Sequence, residues 1–256
     1  LLPMMKLRLA QPALLVDIDG IETIRGIVLE GGTLHIGALT PHAEIAESQI
    51  IKDNAGILAE AASGIGDPQV RNRGTIGGNV SHADPASDLP TVLTAMNAEF
   101  SVQGGSTGSS IRTIPAEEFF LGPFTTALEE NEILIGVEVP GLEGNQKGEY
   151  AKMAHPATGF AVVGAAVVVT VVEGRCAKAT LAVGGLVPAP IRARSVEAAL
   201  MGQELNAETV AAAAAHLGDD VGDSATGDYI AYADSRKVKA GEDEKLLSLI
   251  HISEPT

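Results

Sequence analysis

The chain has 256 residues, 45% of them hydrophobic and 20% charged, a composition that supports one large folded unit or two modest ones rather than disorder. A formal net charge of −16, no Trp, three Tyr and five Phe exclude an electrostatic or stacking grip on nucleic acid, and the charge argues equally against an anionic membrane surface. The single cysteine, Cys176, can neither close an internal disulfide nor ligate an iron–sulfur cluster, so it reads as a small core residue, and any such cluster must sit on another chain.

In chain order, Ile24 to Leu29 and Leu34 to Ala38 read as a hairpin turning at Glu30-Gly31-Gly32-Thr33. Thr40 and Pro41 offer an N-cap and first position for a helix through Ile45. Asp53 or Asn54 can cap the next helix, whose Ile57, Leu58, Ala61, Ala62 and Ile65 recur at helical spacing. The breaker run Gly64 to Pro68 ends it, and the glycine-bearing segment Arg71 to Asn79 follows. Leu89 to Met96 predicts a helix that Asp88 can cap. Phe100 to Gln103 and Ile111 to Ile114 predict strands around a loop rich in Gly and Ser. Ile133 to Val139 alternates as a strand and stops at Pro140-Gly141, and the polar stretch Gly141 to Gly148 marks a domain boundary.

Tyr150 to Met153, Ala161 to Val172 and Arg175 to Val183 read as three antiparallel strands, the last two joined across Glu173-Gly174. The apolar run Ala161 to Val172 is shorter than the roughly 20 residues a membrane helix needs, so no transmembrane segment is expected. Its β-branched residues predict a strand buried on both faces. Helices follow at Val196 to Met201 and Glu208 to Leu217, the second capped by Asn206 and closed by Gly218, and Asp219 to Asp228 reads as a solvated loop. The run Leu246 to Thr256 has neither cap nor alternation and resembles a translated sequencing-adapter tail, so it is set aside as non-native.

The chemistry narrows by elimination. There is no G-x-G-x-x-G between strand and helix, no Walker lysine, no nucleophile elbow, and His35, His42, His82, His155 and His216 fall at no metal spacing. What is left is Arg71-Asn72-Arg73-Gly74-Thr75-Ile76-Gly77-Gly78-Asn79, followed by Asp84-Pro85 and Asp88. Its glycines let the backbone approach a ligand without a Cβ in the way. Successive exposed N–H groups would form an anion-binding concavity, with the Thr75 hydroxyl and the Asn79 amide as further donors, suited to a diphosphate. A plain strand–turn–strand would use the same residues, and Asp88 could cap a helix or accept a ribose hydroxyl.

Taken together, Leu1 to Ala10, Asp67 to Arg71 leading into Thr75 to Asn79, the spacing to Asp88, Glu132 to Ile135, and Tyr150-Ala151-Lys152 resemble one family over nearly the whole chain to about Arg236. It is the FAD-binding medium subunit of molybdenum hydroxylases, of the carbon monoxide dehydrogenase and xanthine dehydrogenase type. The resemblance implies that Thr75, Ile76, Gly77, Gly78 and Asn79 bind the FAD diphosphate and Asp88 a ribose or ribityl hydroxyl. It implies that Ile65 and Leu134 line the cofactor, that Lys152 lies beside the isoalloxazine, and that Leu1 ends the family's other FAD segment. Phe160, soon after Lys152, is placed over the ring face.

The fold so implied is α+β, with a truncated FAD-binding domain of the vanillyl-alcohol oxidase type at residues 1–142. A small domain of antiparallel sheet plus helices is expected at 145–245, and the tail at 246–256. The implied function is oxidoreductase electron relay, from iron–sulfur clusters of a partner through FAD to an external acceptor. The implied partners are a two-[2Fe–2S] small subunit and a molybdopterin-containing large subunit. The alternatives are a flavin-free scaffold of the same complex, or a stand-alone flavin oxidoreductase of the same fold. No signal peptide is visible, and the expected location is cytoplasmic, with any membrane association made through partners. The family's first diphosphate loop corresponds to sequence just before Leu1. The chain is therefore expected to hold FAD more weakly than a form extended at its N-terminus, and FAD retention by both forms on gel filtration checks this.

Overall fold

The computed structural model describes residues 5–104 and 110–222. Leu1, the core of the Gly/Ser loop and the expected tail lie outside them. No helix among the described residues is long and apolar enough to cross a membrane.

The hairpin forms as expected, β1 (Ile27–Glu30) pairing with β2 (Thr33–Gly37) so that Glu30 faces Thr33. Gly31 and Gly32 carry the turn at φ +58° and +83°, a backbone that a Cβ disfavours at both positions. Thr40 does not cap the next helix. Its hydroxyl is bound to the N–H and C=O of Gly26 (3.0 and 3.1 Å), and α1 (His42–Glu47) starts after Pro41. Ser48, rather than Asp53 or Asn54, caps α2 (Gln49–Ser63), accepting from the Ile51 amide at 3.3 Å. The expected start near Asn54 corresponds to a kink, where Ala55 leaves helical φ/ψ and the Asn54 carbonyl accepts from Leu142 N at 2.7 Å.

Three short helices follow: α3 (Pro68–Arg73), capped by Asp67 with Pro68 opening it, α4 (Ile76–His82) and α5 (Asp88–Ala95). Strands β3 (Glu99–Gly104) and β4 (Ile111–Pro115), a one-turn α6 (Ala116–Phe119), the small β5 (Phe120–Gly122) and β6 (Thr125–Thr126), and β7 (Glu132–Pro140) complete the first half. The five-stranded sheet runs β1-β2-β7-β3-β4, antiparallel throughout, so β7 returns from late in the half to its centre.

Strand β8 (Gln146–Ala154) is longer than expected and begins inside the stretch read as a boundary. It pairs with β9 (Ala161–Val172), which pairs with β10 (Arg175–Gly184), and β11 (Ile191–Arg192) closes the edge. Helices α7 (Arg194–Leu200), α8 (Ala207–Ala214) and α9 (Leu217–Val221) cover one face. Asn206 caps α8 in a reciprocal capping box with Thr209. Gly218 does not close a helix but lies inside α9, where the Asp220 carboxylate accepts the Ser195 amide at 2.9 Å.

Strand β9 is buried on both faces, as its valines predict. Val163, Val167 and Val169 pack with Leu181, Val196, Leu200 and Val210 in the second core, which also buries Cys176. Ala166, Val168 and Ala182 join the first core with Leu58, Leu93 and Phe100. The second sheet is thus a middle layer, and burial pushes the Cys176 thiol pKa up.

Gly77 shows how tightly the site's helix is seated. A Cβ there would lie 2.6 Å from both the Cβ and the carbonyl oxygen of Ala38, whereas at the exposed Gly78 it would meet only Thr75 Oγ1 at 3.1 Å. Gly77→Ala is expected to destabilise the chain by about 1–3 kcal/mol, and Gly78→Ala to change it by less than about 1 kcal/mol, in urea unfolding.

Candidate functional site

Four pieces of chain meet at the candidate site: the turn ending α2, the start of α4, the start of α5, and β8. The turn is held from behind. Arg71 Nη1 donates to the carbonyls of Ile65 (3.0 Å) and Gly66 (3.2 Å), and Gly66 takes φ +49°.

The Thr75 to Asn79 segment is neither a strand–turn–strand nor a loop of free N–H groups. It is the cap and first turn of α4, so the expected concavity of exposed amides is corrected. Ile76 N donates to Thr40 O (3.0 Å), Gly77 N to Ala38 O (2.8 Å), Gly78 N to Thr75 Oγ1 (3.1 Å) and Asn79 N to Thr75 O (3.0 Å). The physical reason is that a segment seated on residues 38–40, just after β2, must satisfy its buried backbone donors there. What faces outward is the side-chainless Gly78, the Thr75 hydroxyl with its own proton still to give, and the amide of Asn79. Asn79 Oδ1 accepts from Ser87 Oγ at 2.8 Å, which leaves its NH₂ to donate.

Ser87 occupies the N-cap of α5, so Asp88 is not a cap but the first helical residue, 5% exposed. Its carboxylate receives two donors from β8: Tyr150 Oη to Oδ1 at 2.6 Å and Lys152 Nζ to Oδ2 at 2.9 Å. Lys152 Nζ also reaches Gly64 O at 3.3 Å, beside Ile65. Lys152 is therefore no exposed strand lysine, since its side chain is 16% exposed against 6% for Asp88. The Tyr150 hydroxyl stays protonated, because burial, then the charge and hydrogen bond of Asp88, raise its pKa far above the usual phenol range.

Of the candidate residues, the fold therefore gathers Ile65, Asn79, Asp88 and Lys152 into one bonded line, with Thr75 and Gly78 on the same helix end. It does not bring Leu134 or Phe160 to this line, and Leu1 lies outside the described residues. Leu134 lies on β7 opposite Val102, enclosed in the first core at 4% exposure. Phe160 is 54% exposed in the loop before β9. Tyr150 and Arg71 stand in the sequence motifs without a role of their own, and Ser87 and His42 are members that the sequence does not mark. For Tyr150 a signal existed, since residues two apart on a strand share a face with Lys152.

The donor set suits a flavin dinucleotide. Hydroxyl and amide donors stand at the positive end of α4 for phosphate, Gly78 leaves room for close approach, and a lysine cation waits beside a partly buried Ile65.

Residues 1–142 match the family described as the FAD binding domain in molybdopterin dehydrogenase, and residues 148–228 that described as the CO dehydrogenase flavoprotein C-terminal domain. The carbon monoxide dehydrogenase medium chain of Hydrogenophaga pseudoflava is 40% identical over 214 residues, 84% of this chain and 74% of that one. The glyceraldehyde dehydrogenase medium chain of Sulfolobus acidocaldarius is 38% identical over 82% of this chain and 73% of its own. Among solved structures, carbon monoxide dehydrogenase from Hydrogenophaga pseudoflava superposes with a TM-score of 0.79 at 43% identity, covering 84% of this chain and 74% of that one. Quinoline 2-oxidoreductase from Pseudomonas putida 86 gives 0.79 at 26% identity, over 97% and 81%.

His42 lies behind this site, 3% exposed, with Nδ1 buried and without a partner among the described residues, its ring where a Gly74 side chain would have to go. Burial lowers its pKa from 6.5 to about 4. The folded state therefore refuses a proton that the unfolded chain accepts. Stability is full above pH 6.5, declines as pH falls toward 4, and loses on the order of 3 kcal/mol in all. His42→Leu is expected to flatten that decline, seen as a smaller difference between urea midpoints at pH 7.5 and 4.5 than in wild type.

Proposed function

Because this chain belongs to the family of FAD-binding medium subunits of molybdenum hydroxylase-type dehydrogenases, we propose that it carries the flavin through which such a complex passes electrons to an external acceptor. Its expected partners are a small subunit with two [2Fe–2S] clusters, the electron source, and a large molybdopterin subunit that performs the substrate chemistry. The observation that carries the reading is the bonded line from Asn79 through Ser87 and Asp88 to Lys152 and the Gly64–Ile65 turn. It joins a phosphate-type donor end to a cation through one continuous wall.

Each residue takes a role in this reading. Thr75, Gly78 and Asn79 hold the diphosphate, with Ile76 and Gly77 seating the helix that presents them. Asp88 has lone pairs beyond its two donors and accepts a ribose or ribityl hydroxyl. Ile65 flanks the ring, while Leu134, enclosed in the first core, and Phe160, exposed before β9, stand off the bonded line and keep only the roles that the family resemblance implies. Residues 1–142 would form the FAD domain and 145–245 the C-terminal domain. FAD, when bound, supplies an acceptor and donor of electrons one or two at a time. With the flavin bound, Lys152 would hold a positive charge, shared with Asp88, beside the ring.

Structural and functional roles of the ion pair separate in a variant pair. Lys152→Met leaves a buried carboxylate without its cation and is expected to cost about 3–5 kcal/mol in urea unfolding. Adding Asp88→Asn should restore most of that stability but not the flavin, read as flavin absorbance per chain after gel filtration. A wild-type chain that stays colourless with FAD and still assembles with iron–sulfur and molybdenum subunits would instead establish the flavin-free scaffold.

A further inference from the structure

Tyr150 and Lys152 leave the same face of β8 and end on one carboxylate. The phenol takes Oδ1 and the ammonium takes Oδ2, so the two donors divide Asp88 between them. With the phenol on Oδ1, the Lys152 ammonium is held on Oδ2. Its remaining protons are free to reach the Gly64 carbonyl at 3.3 Å, on the turn that carries Ile65. The neighbouring strand enforces the division. Gly164 on β9 is the register partner of Lys152, and a Cβ at Gly164 would lie 2.6 Å from the Tyr150 hydroxyl. The missing side chain is the space in which that hydroxyl sits. The next strand continues the gap, since Gly184 on β10 pairs with Gly164 and lies against Thr91 of α5.

We propose that Tyr150 is a positioning residue for the cofactor site: seated over Gly164, it holds the Asp88 carboxylate in the orientation that delivers the Lys152 ammonium to the Gly64–Ile65 turn. The proposal rests on the flavin-subunit reading above. Tyr150 acts through Asp88 and Lys152 rather than by touching the cofactor. Without the hydroxyl, Oδ1 is released, the carboxylate turns to take the ammonium on both oxygens, and the cation is drawn away from Gly64. Both charges stay paired, so the join between α5 and β8 persists and the fold survives.

A double-mutant cycle tests this on the purified chain, titrated with FAD and followed by flavin fluorescence, with the midpoint potential of the bound flavin measured alongside. Tyr150→Phe is expected to raise the FAD dissociation constant about tenfold, the worth of one hydrogen bond to a charged group. It is also expected to lower the midpoint potential, because the cation no longer stands where reduction adds charge, while unfolding stays cooperative. Gly164→Ala should do the same by displacing the hydroxyl. The double variant should be no worse than Tyr150→Phe alone, since no hydroxyl is left to displace. Equal affinity and potential in wild type and Tyr150→Phe overturn the proposal, as do strictly additive effects of the two substitutions. Failure of both this chain and a form extended at its N-terminus to bind FAD overturns the flavin reading itself and this role with it.

Discussion

A carboxylate taken almost wholly out of water must be given a cation or give up its charge. In this chain Asp88 is given Lys152, from 64 residues away, and a phenol besides. Because Asp88 opens α5 and Lys152 lies on β8, that pair ties the first half of the chain to the sheet of the second. Once α5 is pinned at its start, its far end is set as well: the Thr180 hydroxyl donates to the Ala95 carbonyl at 2.7 Å, a buried cap supplied by β10. A helix fixed at both ends by the same sheet is a rigid wall, and the candidate site is built against one end of it.

The wall can be this close only because small residues permit it. Gly77 lets α4 settle on Ala38 at the end of β2, and Gly164 and Gly184 open one row across β9 and β10 where Tyr150 and Thr91 enter. The glycines nearest the candidate site thus serve two different ends. Gly77 is needed for packing inside the protein, while Gly78, one residue on, is exposed and has only the Thr75 hydroxyl close to it. Residue type alone does not separate them, because the same missing Cβ serves a neighbouring helix or an incoming ligand equally well.

Much of the order of elements was legible from pattern. The Gly31-Gly32 hairpin, the doubly buried valine strand β9, the Asn206 cap and the strand at Ile133 to Val139 all follow from turn chemistry and periodicity, which act within a few residues. Errors came where two local solutions compete. Thr40 looked like a cap but spends its hydroxyl on Gly26, and Ser48 outcompetes Asp53 and Asn54 because it stands one residue before the first helical turn. Gly218 looked like a stop and is a helix interior, where Asp220 is needed to cap Ser195.

What the sequence by itself determined is the inventory: which motifs occur, in what order and spacing, and hence the family and its cofactor. Those are properties of residues near one another along the chain or at fixed offsets. Only the tertiary structure decided who meets whom. It turned the Thr75 to Asn79 segment from an open loop into a helix start whose amides are already used, because the stretch 38–40 lies beneath it. It enclosed Leu134 and left Phe160 outside, because β7 runs through the centre of a sheet while the turn before β9 does not. And it joined Asp88 to Tyr150 and Lys152, a contact no periodicity encodes, since its cause is the need to neutralise a buried charge with whatever cation the fold brings within reach.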